Sequence, residues 1–300
     1  MNPMPKLIVI AGTNASGKSG LGVALAERYG GEVVSADSRQ VFRGLDLGSG
    51  KITPAETRGV PHHLIDVCEP GDFFSMHDFQ RLAYRAIDGI LDRGRLPFLV
   101  GGTGLYIASV TEGYVMSDRP PDLKYREYLE TFSTPQLCDM LLRALPDIDI
   151  ERNNRNRVMR VLEKLHAGDD HVPRSAPRYR CLKLGVTWDR ETLKARIDER
   201  LRRRLDAGMI EEVQGLIDSG VSLEFLYKLG LEYRFIARYL TGDIPNRADM
   251  VEQLGNAIRK FAKRQMTWFR RDGDILWLDM TGDPVAQAAA AIDGFLEGGA

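Results

Sequence analysis

Short apolar runs alternate with helix-period patterns through the first hundred residues. Leu7 to Ala11 (LIVIA) is a continuous apolar run, which predicts a strand buried on both faces. Lys18 to Tyr29 follows with helical spacing and is closed by Gly30 and Gly31, and Glu32 to Ala36 (EVVSA) is a second strand. Phe79 to Arg93 repeats the amphipathic pattern up to Gly94, and Leu96 to Val100 (LPFLV) reads as another buried strand running into Gly101, Gly102, Thr103 and Gly104. Strand, helix and strand in this order predict a parallel sheet covered by helices. From about Glu112 the pattern changes: Arg119, Pro120 and Pro121 break the chain, and helical pieces follow without a clear strand. Leu182 to Trp188 returns to a strand, and Arg190 to Ser219 reads as one long charge-laced helical stretch. Further helices run to about Arg271, Ile275 to Leu278 (ILWL) is a last short strand, and Ala286 to Ala291 lies in a terminal helix. The expected fold class is α/β. Residues 1–111 and 181–300 form one core, and residues 112–180 are inserted as a helical subdomain.

Composition adds limits. A chain of 300 residues with 43% apolar and 28% charged content buries a substantial core, which excludes a disordered chain. Lys+Arg 41 against Asp+Glu 42 leaves −1, so the whole-chain charge gives no hint of a polyanionic partner. The distribution differs from the sum. Glu151 to Arg204 holds sixteen Lys+Arg against eight Asp+Glu, a local +8 that has the size of a polyanion footprint. Within it, helical spacing puts Arg157 and Arg160 on one face. A second basic stretch contains Arg259, Lys260, Lys263, Arg264, Arg270 and Arg271, interleaved with Phe261, Trp268 and Phe269. Here the aromatics are expected in the core and the cations against a partner. Cys68, Cys138 and Cys181 are an odd set without CxxC spacing, which fits a reducing compartment and the cytoplasm. No run approaches the ~18 apolar residues of a membrane span, and no targeting segment is evident. Nothing in the sequence sets an oligomeric state, and a monomer is the simplest reading.

The strongest single signal is Gly12-Thr13-Asn14-Ala15-Ser16-Gly17-Lys18-Ser19, which matches GxxxxGK[ST] between a buried strand and a helix start. Backbone N–H groups of such a loop form a concave nest, Lys18 adds a cation and the Ser19 hydroxyl can hold magnesium. A P-loop NTPase-like sheet that binds a diphosphate or triphosphate is therefore expected. Asp37 follows the second strand directly and falls at the carboxyl edge of the sheet, where open α/β folds bind ligands. It is a candidate general base, with a magnesium ligand or a local cap as alternatives.

Three further segments narrow the class. Asp37-Ser38-Arg39-Gln40-Val41-Phe42-Arg43-Gly44-Leu45-Asp46-Leu47-Gly48-Ser49-Gly50-Lys51, Pro61-His62-His63-Leu64-Ile65-Asp66 and Gly101-Gly102-Thr103-Gly104-Leu105-Tyr106 resemble the tRNA dimethylallyltransferase (isopentenyltransferase) family. Phe74-Ser75 with Asp78-Phe79, Arg190-Glu191 with Arg196-Ile197-Asp198 and Arg200, and Lys263-Arg264-Gln265 with Thr267-Trp268 extend the likeness over most of residues 6–280.

The resemblance implies transfer of a dimethylallyl group from dimethylallyl diphosphate to the exocyclic amine of adenosine 37, beside the anticodon in tRNAs that read codons beginning with U. It implies Asp37 as the base and the phosphate loop as the holder of the donor's diphosphate. Lys18, Thr103 and magnesium would face the leaving group. An arginine at the start of the insertion also faces the substrates, and the register of Pro120, Asp122 and Arg126 assigns Arg126, with Arg119 as the fallback. The implied tRNA contacts, on the anticodon stem-loop, are Asp37, Ser38, Arg39, Gln40, Thr103, Arg126, Asn156, Arg157, Val158, Met159, Arg160, Lys263, Arg264 and Gln265. This sequence departs from the family in two places. Glu232, in Leu229-Gly230-Leu231-Glu232-Tyr233, stands where a cation or polar residue would face RNA, and the insertion is short. His62 and His63 belong to the family pattern and are read as structural. The competing functions are prenyl transfer to AMP or ATP, and a P-loop small-molecule kinase.

Overall fold

The computed structural model describes residues 4–116, 122–169 and 174–298. The chain divides into two compact units, Met1–Gly113 with Pro177–Ala300, and Tyr114–Ala176. Tyr179 and Arg180, given to the insertion by sequence, belong to the larger unit: Tyr179 is buried in its core and Arg180 opens a central strand.

The larger unit begins with β1 (Lys6–Gly12), α1 (Lys18–Arg28), β2 (Glu32–Ala36), α2 (Pro54–Thr57), β3 (His62–His63), α3 (Met76–Asp92), β4 (Pro97–Gly101) and α4 (Gly104–Thr111). The smaller unit supplies α5 (Leu123–Glu130), α6 (Thr134–Ala144) and α7 (Arg155–His166). The larger unit resumes with β5 (Arg180–Thr187), α8 (Arg190–Asp206), α9 (Met209–Asp218), α10 (Leu223–Leu229), α11 (Leu231–Leu240), α12 (Arg247–Phe269), β6 (Ile275–Asp279) and α13 (Pro284–Glu297).

Among the described residues six strands form one parallel sheet, in the order β3-β2-β4-β1-β5-β6. Leu7, Ile8, Val9 and Ile10 of β1 are fully buried, because strands lie on both sides and helices cover both faces. Each such side chain contributes roughly 1.5–3 kcal/mol of burial. The unexpected strand is β3, which at two residues is too short to leave a periodic signal and is placed by pairing Val33 with His62 and Val34 with His63. The single helix expected over Arg190 to Ser219 is two, since Gly208 adopts φ 100° and ends the turn after α8. Helix α3 explains the Phe74-Ser75 and Asp78-Phe79 pairs locally: Ser75 and Asp78 form a capping box, and Phe79, Ala83, Ile87 and Ile90 make the buried stripe. Helices α8 to α12 gather around Val41, Phe42 and Leu45, which lie in the segment after β2. That segment is thus pinned to the second half of the chain.

In the smaller unit, α5, α6 and α7 close over Leu129, Leu137, Leu141, Val158, Met159 and Leu162. Val158 and Met159 are 0% and 2% exposed, so they are core residues and not RNA contacts, a correction to the motif-based expectation. The charge expectation also changes. Tyr114–Ala176 holds ten Lys+Arg against eleven Asp+Glu, a net of −1, because much of the +8 window lies on α8 of the other unit. Among the described residues, no helix is long and apolar enough to cross a membrane.

Candidate active site

The loops that leave the carboxyl edge of the sheet after β1 and β2 carry polar residues into one cavity. After β1 comes the loop Gly12 to Ser19, in which Ala15 at φ 60° and Gly17 at φ 94° turn successive N–H groups into a nest. A β-carbon at Gly17 would be strained at that φ. Helix α1 then starts with no side-chain cap and no acidic residue in its first turn, unlike α3, so its first N–H groups and its positive end are left to an anion.

After β2 comes Asp37, which lines a cavity with Asn14, Lys18, Ser19, Arg39, Arg200, Arg204 and Glu232. Lys18 is 8% exposed and donates to the Thr13 carbonyl at 3.2 Å. Its burial lowers the ammonium to about 8, against the pull of Asp37, with Arg200 and Arg39 adding repulsion. Burial likewise lowers Arg200 to about 10, helped by Arg204. Four cations face this cavity against two carboxylates, Asp37 and Glu232. The surplus is an electrostatic description of an anion site, since charges 4 Å apart interact by about 4 kcal/mol at intermediate dielectric.

The turn that presents Asp37 is held from several sides. The Arg39 N–H donates to Asp37 Oδ1 at 3.0 Å, and the Ser38 N–H donates to Thr103 Oγ1 at 3.1 Å. The hydroxyl of Thr103, expected at the leaving group, lies against Ser38, where it braces the Asp37 turn. Gln40 is also committed internally: Ser35 donates to its carbonyl oxygen at 3.0 Å and its amide reaches the Gly50 carbonyl at 3.3 Å. Gln265, expected as an RNA contact, is buried at 7% exposure; it accepts the Asn14 N–H at 3.0 Å and donates to the Gly102 carbonyl at 2.9 Å. Both ends of its amide are used to tie the phosphate loop to the loop after β4. Trp268 packs where a Gly104 side chain would be, while Lys263 and Arg264 are exposed on α12.

Sequence reasoning counted Arg196, Arg200 and Arg204 of α8 within a basic window but placed none of them in the site. Arg196 donates to the Ala15 carbonyl at 2.9 Å, Arg200 to the Gly50 carbonyl at 3.1 Å, and Arg204 to the Leu47 and Gly48 carbonyls and to Glu232. Trp188 Nε1 joins them by donating to the Ser16 carbonyl at 2.8 Å. The available signal was the i, i+4, i+8 spacing, which puts all three arginines on one helical face. Glu232, which departs from the family at a position where a cation or polar residue would face RNA, is 2% exposed and faces inward: it accepts from Arg39 at 2.6 Å and from Arg204 at 3.2 Å.

The smaller unit holds the remaining predicted residues. Arg126 lies on α5, whose start is capped by Asp122, and its guanidinium is 3.4 Å from Glu163. Arg160 meets the other oxygen of Glu163 at 3.1 Å, Arg157 pairs with Glu151 at 3.4 Å, and Asn156 is exposed. Arg119 and Pro120 lie outside the described residues.

Comparison with known proteins gives this geometry a family. A sequence model described as IPP transferase matches residues 40–272, and one described as isopentenyl transferase matches residues 5–69. The chain is 44% identical over 288 residues to tRNA dimethylallyltransferase 1 of Geotalea uraniireducens, covering 94% of this chain and 95% of that one. It is 46% identical over 288 residues to tRNA dimethylallyltransferase 2 of Syntrophotalea carbinolica, covering 93% and 96%. Among solved structures it is similar to the tRNA isopentenylpyrophosphate transferase of Bacillus halodurans, with TM-score 0.75 and 37% identity over 97% of both chains. It is also similar to a eukaryotic dimethylallyltransferase acting on tRNA, with TM-score 0.85 and 27% identity over 99% of this chain and 80% of the other. The chain belongs to the IPP transferase family.

Proposed function

We propose that this chain transfers the dimethylallyl group of dimethylallyl diphosphate to the exocyclic amine of adenosine 37 in tRNAs that read codons beginning with U, releasing diphosphate. The observation that carries the reading is the cavity in which Asp37 faces a surplus of buried cations. An allylic diphosphate supplies the anion, and an adenine amine supplies the proton that a carboxylate must take.

The donor's diphosphate lies in the nest of Gly12 to Ser19, and Lys18 and Arg200 neutralise the charge that grows on it as the allylic C–O bond breaks. Asp37 accepts the proton of the amine as the new C–N bond forms; the lone pair of that amine is delocalised into the ring, so the base matters. Thr103 keeps the Asp37 turn in place through Ser38. Ser19, an exposed hydroxyl on the rim of the cavity, together with diphosphate oxygens is the hard oxygen donor set that suits magnesium. Bound there, magnesium would add neutralising charge on the diphosphate.

On the acceptor side, Ser38, Lys263 and Arg264 of the larger unit and Arg126, Asn156, Arg157 and Arg160 of the smaller one contact the anticodon stem-loop, with the target base extruded from its stack. Labelled dimethylallyl diphosphate, magnesium and either unmodified tRNA or AMP test this directly. Label on adenosine 37 is expected. Label on AMP alone, or phosphoryl transfer from ATP, overturns the reading.

A further inference from the structure

Arg39 sits two residues after Asp37 on the same turn, and its own N–H already binds Asp37 Oδ1. Its Nε is 3.8 Å from that same oxygen. A guanidinium this close would ordinarily turn its fork onto the carboxylate, cover the lone pairs with two N–H bonds and oppose protonation. Instead Nη1 is drawn to Glu232 at 2.6 Å. Glu232 is 2% exposed in the first turn of α11, and its second oxygen is held by Arg204 at 3.2 Å. The approach needs a bare backbone beside it, since a β-carbon on Gly230 would come within 2.8 Å of Arg39 Cδ. Burial alone would favour the neutral acid, yet the two arginines hold the Glu232 carboxyl below the usual range, so it stays an anion.

Resting on the reading of Asp37 as proton acceptor, we infer that Glu232 is a positioning residue for transfer: it holds the Arg39 guanidinium away from Asp37 and leaves a carboxylate oxygen open to the amine proton. The other charged groups on this cavity are Lys18, Arg200 and Arg204. Arg200 and Arg204 are tied to the carbonyls of Gly50, Leu47 and Gly48, and Lys18 to that of Thr13, so Arg39 is the cation poised to capture the base.

Four variants test this by single-turnover transfer to tRNA: Glu232→Gln, Arg39→Met, the two combined, and Asp37→Asn. Glu232→Gln is expected to slow the chemical step by about 10²-fold, the low end of what a general base supplies. Its binding of inorganic diphosphate should be no weaker than wild type, because a negative charge has left the cavity. Adding Arg39→Met to Glu232→Gln should restore at least tenfold of the loss, since no guanidinium remains to cover Asp37. A double variant as slow as Glu232→Gln, or a Glu232→Gln protein that has lost diphosphate binding, would show a purely structural role and overturn the inference. Full activity in Asp37→Asn would instead overturn the base assignment, so the two failures are distinguishable.

Discussion

The two edges of the parallel sheet each carry buried charge, and they use it in opposite ways. At the amino edge Glu32, 3% exposed, receives Arg93 at 2.7 and 3.2 Å, Arg95 at 3.2 Å and His63 at 2.7 Å. The arginines there are about half exposed and keep their hydration, so the buried partner is the carboxylate and it is fully matched. The Arg93 hydrogen bonds pull Glu32 down to about 2, with His63 assisting against the cost of burial. At the carboxyl edge the buried partners are cations, with Lys18, Arg39 and Arg204 at 8%, 11% and 13% exposure. They outnumber the carboxylates, and burial lowers Lys18 to about 8 against the pull of Asp37, with repulsion from Arg200 and Arg39 adding to it. A buried charge that is matched serves the fold, and one left in surplus serves a ligand of opposite sign.

Substitutions can break this contrast. The largest effect is expected from Asp37→Asn, which should cut the transfer rate by about 10²–10⁴-fold with little change in melting temperature; a destabilised but active protein would move Asp37 to the structural class. Lys18→Met should weaken diphosphate binding by about 10²-fold, the loss of one charge-assisted contact of roughly 3 kcal/mol. The same variant should melt no lower than wild type, because a desolvated ammonium has been removed, and a lower melting temperature would count against the surplus-cation argument.

Glu32→Gln is the mirror experiment. It should cost about 1–3 kcal/mol in urea unfolding at pH 7, less than a fully buried pair because the arginines stay solvated, and leave the transfer rate of the folded protein unchanged. The pH dependence has a definite sign. The folded carboxyl titrates near 2 and the unfolded one near 4.5, so Glu32 stabilises fully above 4.5 and loses that contribution as the pH falls toward 2. The gap between wild type and Glu32→Gln should therefore close across that window, and a gap that stays constant would show that charge is not its origin.

The smallest effect is expected on the smaller unit, where Arg157 is exposed and pairs with exposed Glu151. Arg157→Ala should leave stability within about 0.5 kcal/mol and lower the salt-dependence slope of tRNA binding by about 0.7–0.9, one phosphate contact. An unchanged slope would reduce Arg157 to a surface ion pair.

Much of this was legible in the residue order. Apolar runs at β1, β2 and β4 depend on neighbours only through burial, and the phosphate loop is a contiguous local structure whose glycine, lysine and serine positions fix its geometry. Asp37 could be placed because it follows a strand by one residue. The site residues that the sequence reading misplaced were misplaced by side-chain direction. Gln265, Val158 and Met159 were read as facing RNA, and all three are buried. Their polarity or motif membership says nothing about which side of a helix meets the core. The basic window Glu151 to Arg204 was likewise an artefact of chain order, since it runs from one compact unit into the other.

The sequence by itself determined the α/β order, the anion-binding loop and the carboxylate beside it, because each is set within a few adjacent residues. The tertiary structure alone decided that Arg200 and Arg204 reach across to the Asp37 segment, that Gln265 locks the phosphate loop, and that Glu232 holds Arg39. Those contacts join residues separated by up to 251 positions, and only packing α8, α11 and α12 against the sheet edge brings them together.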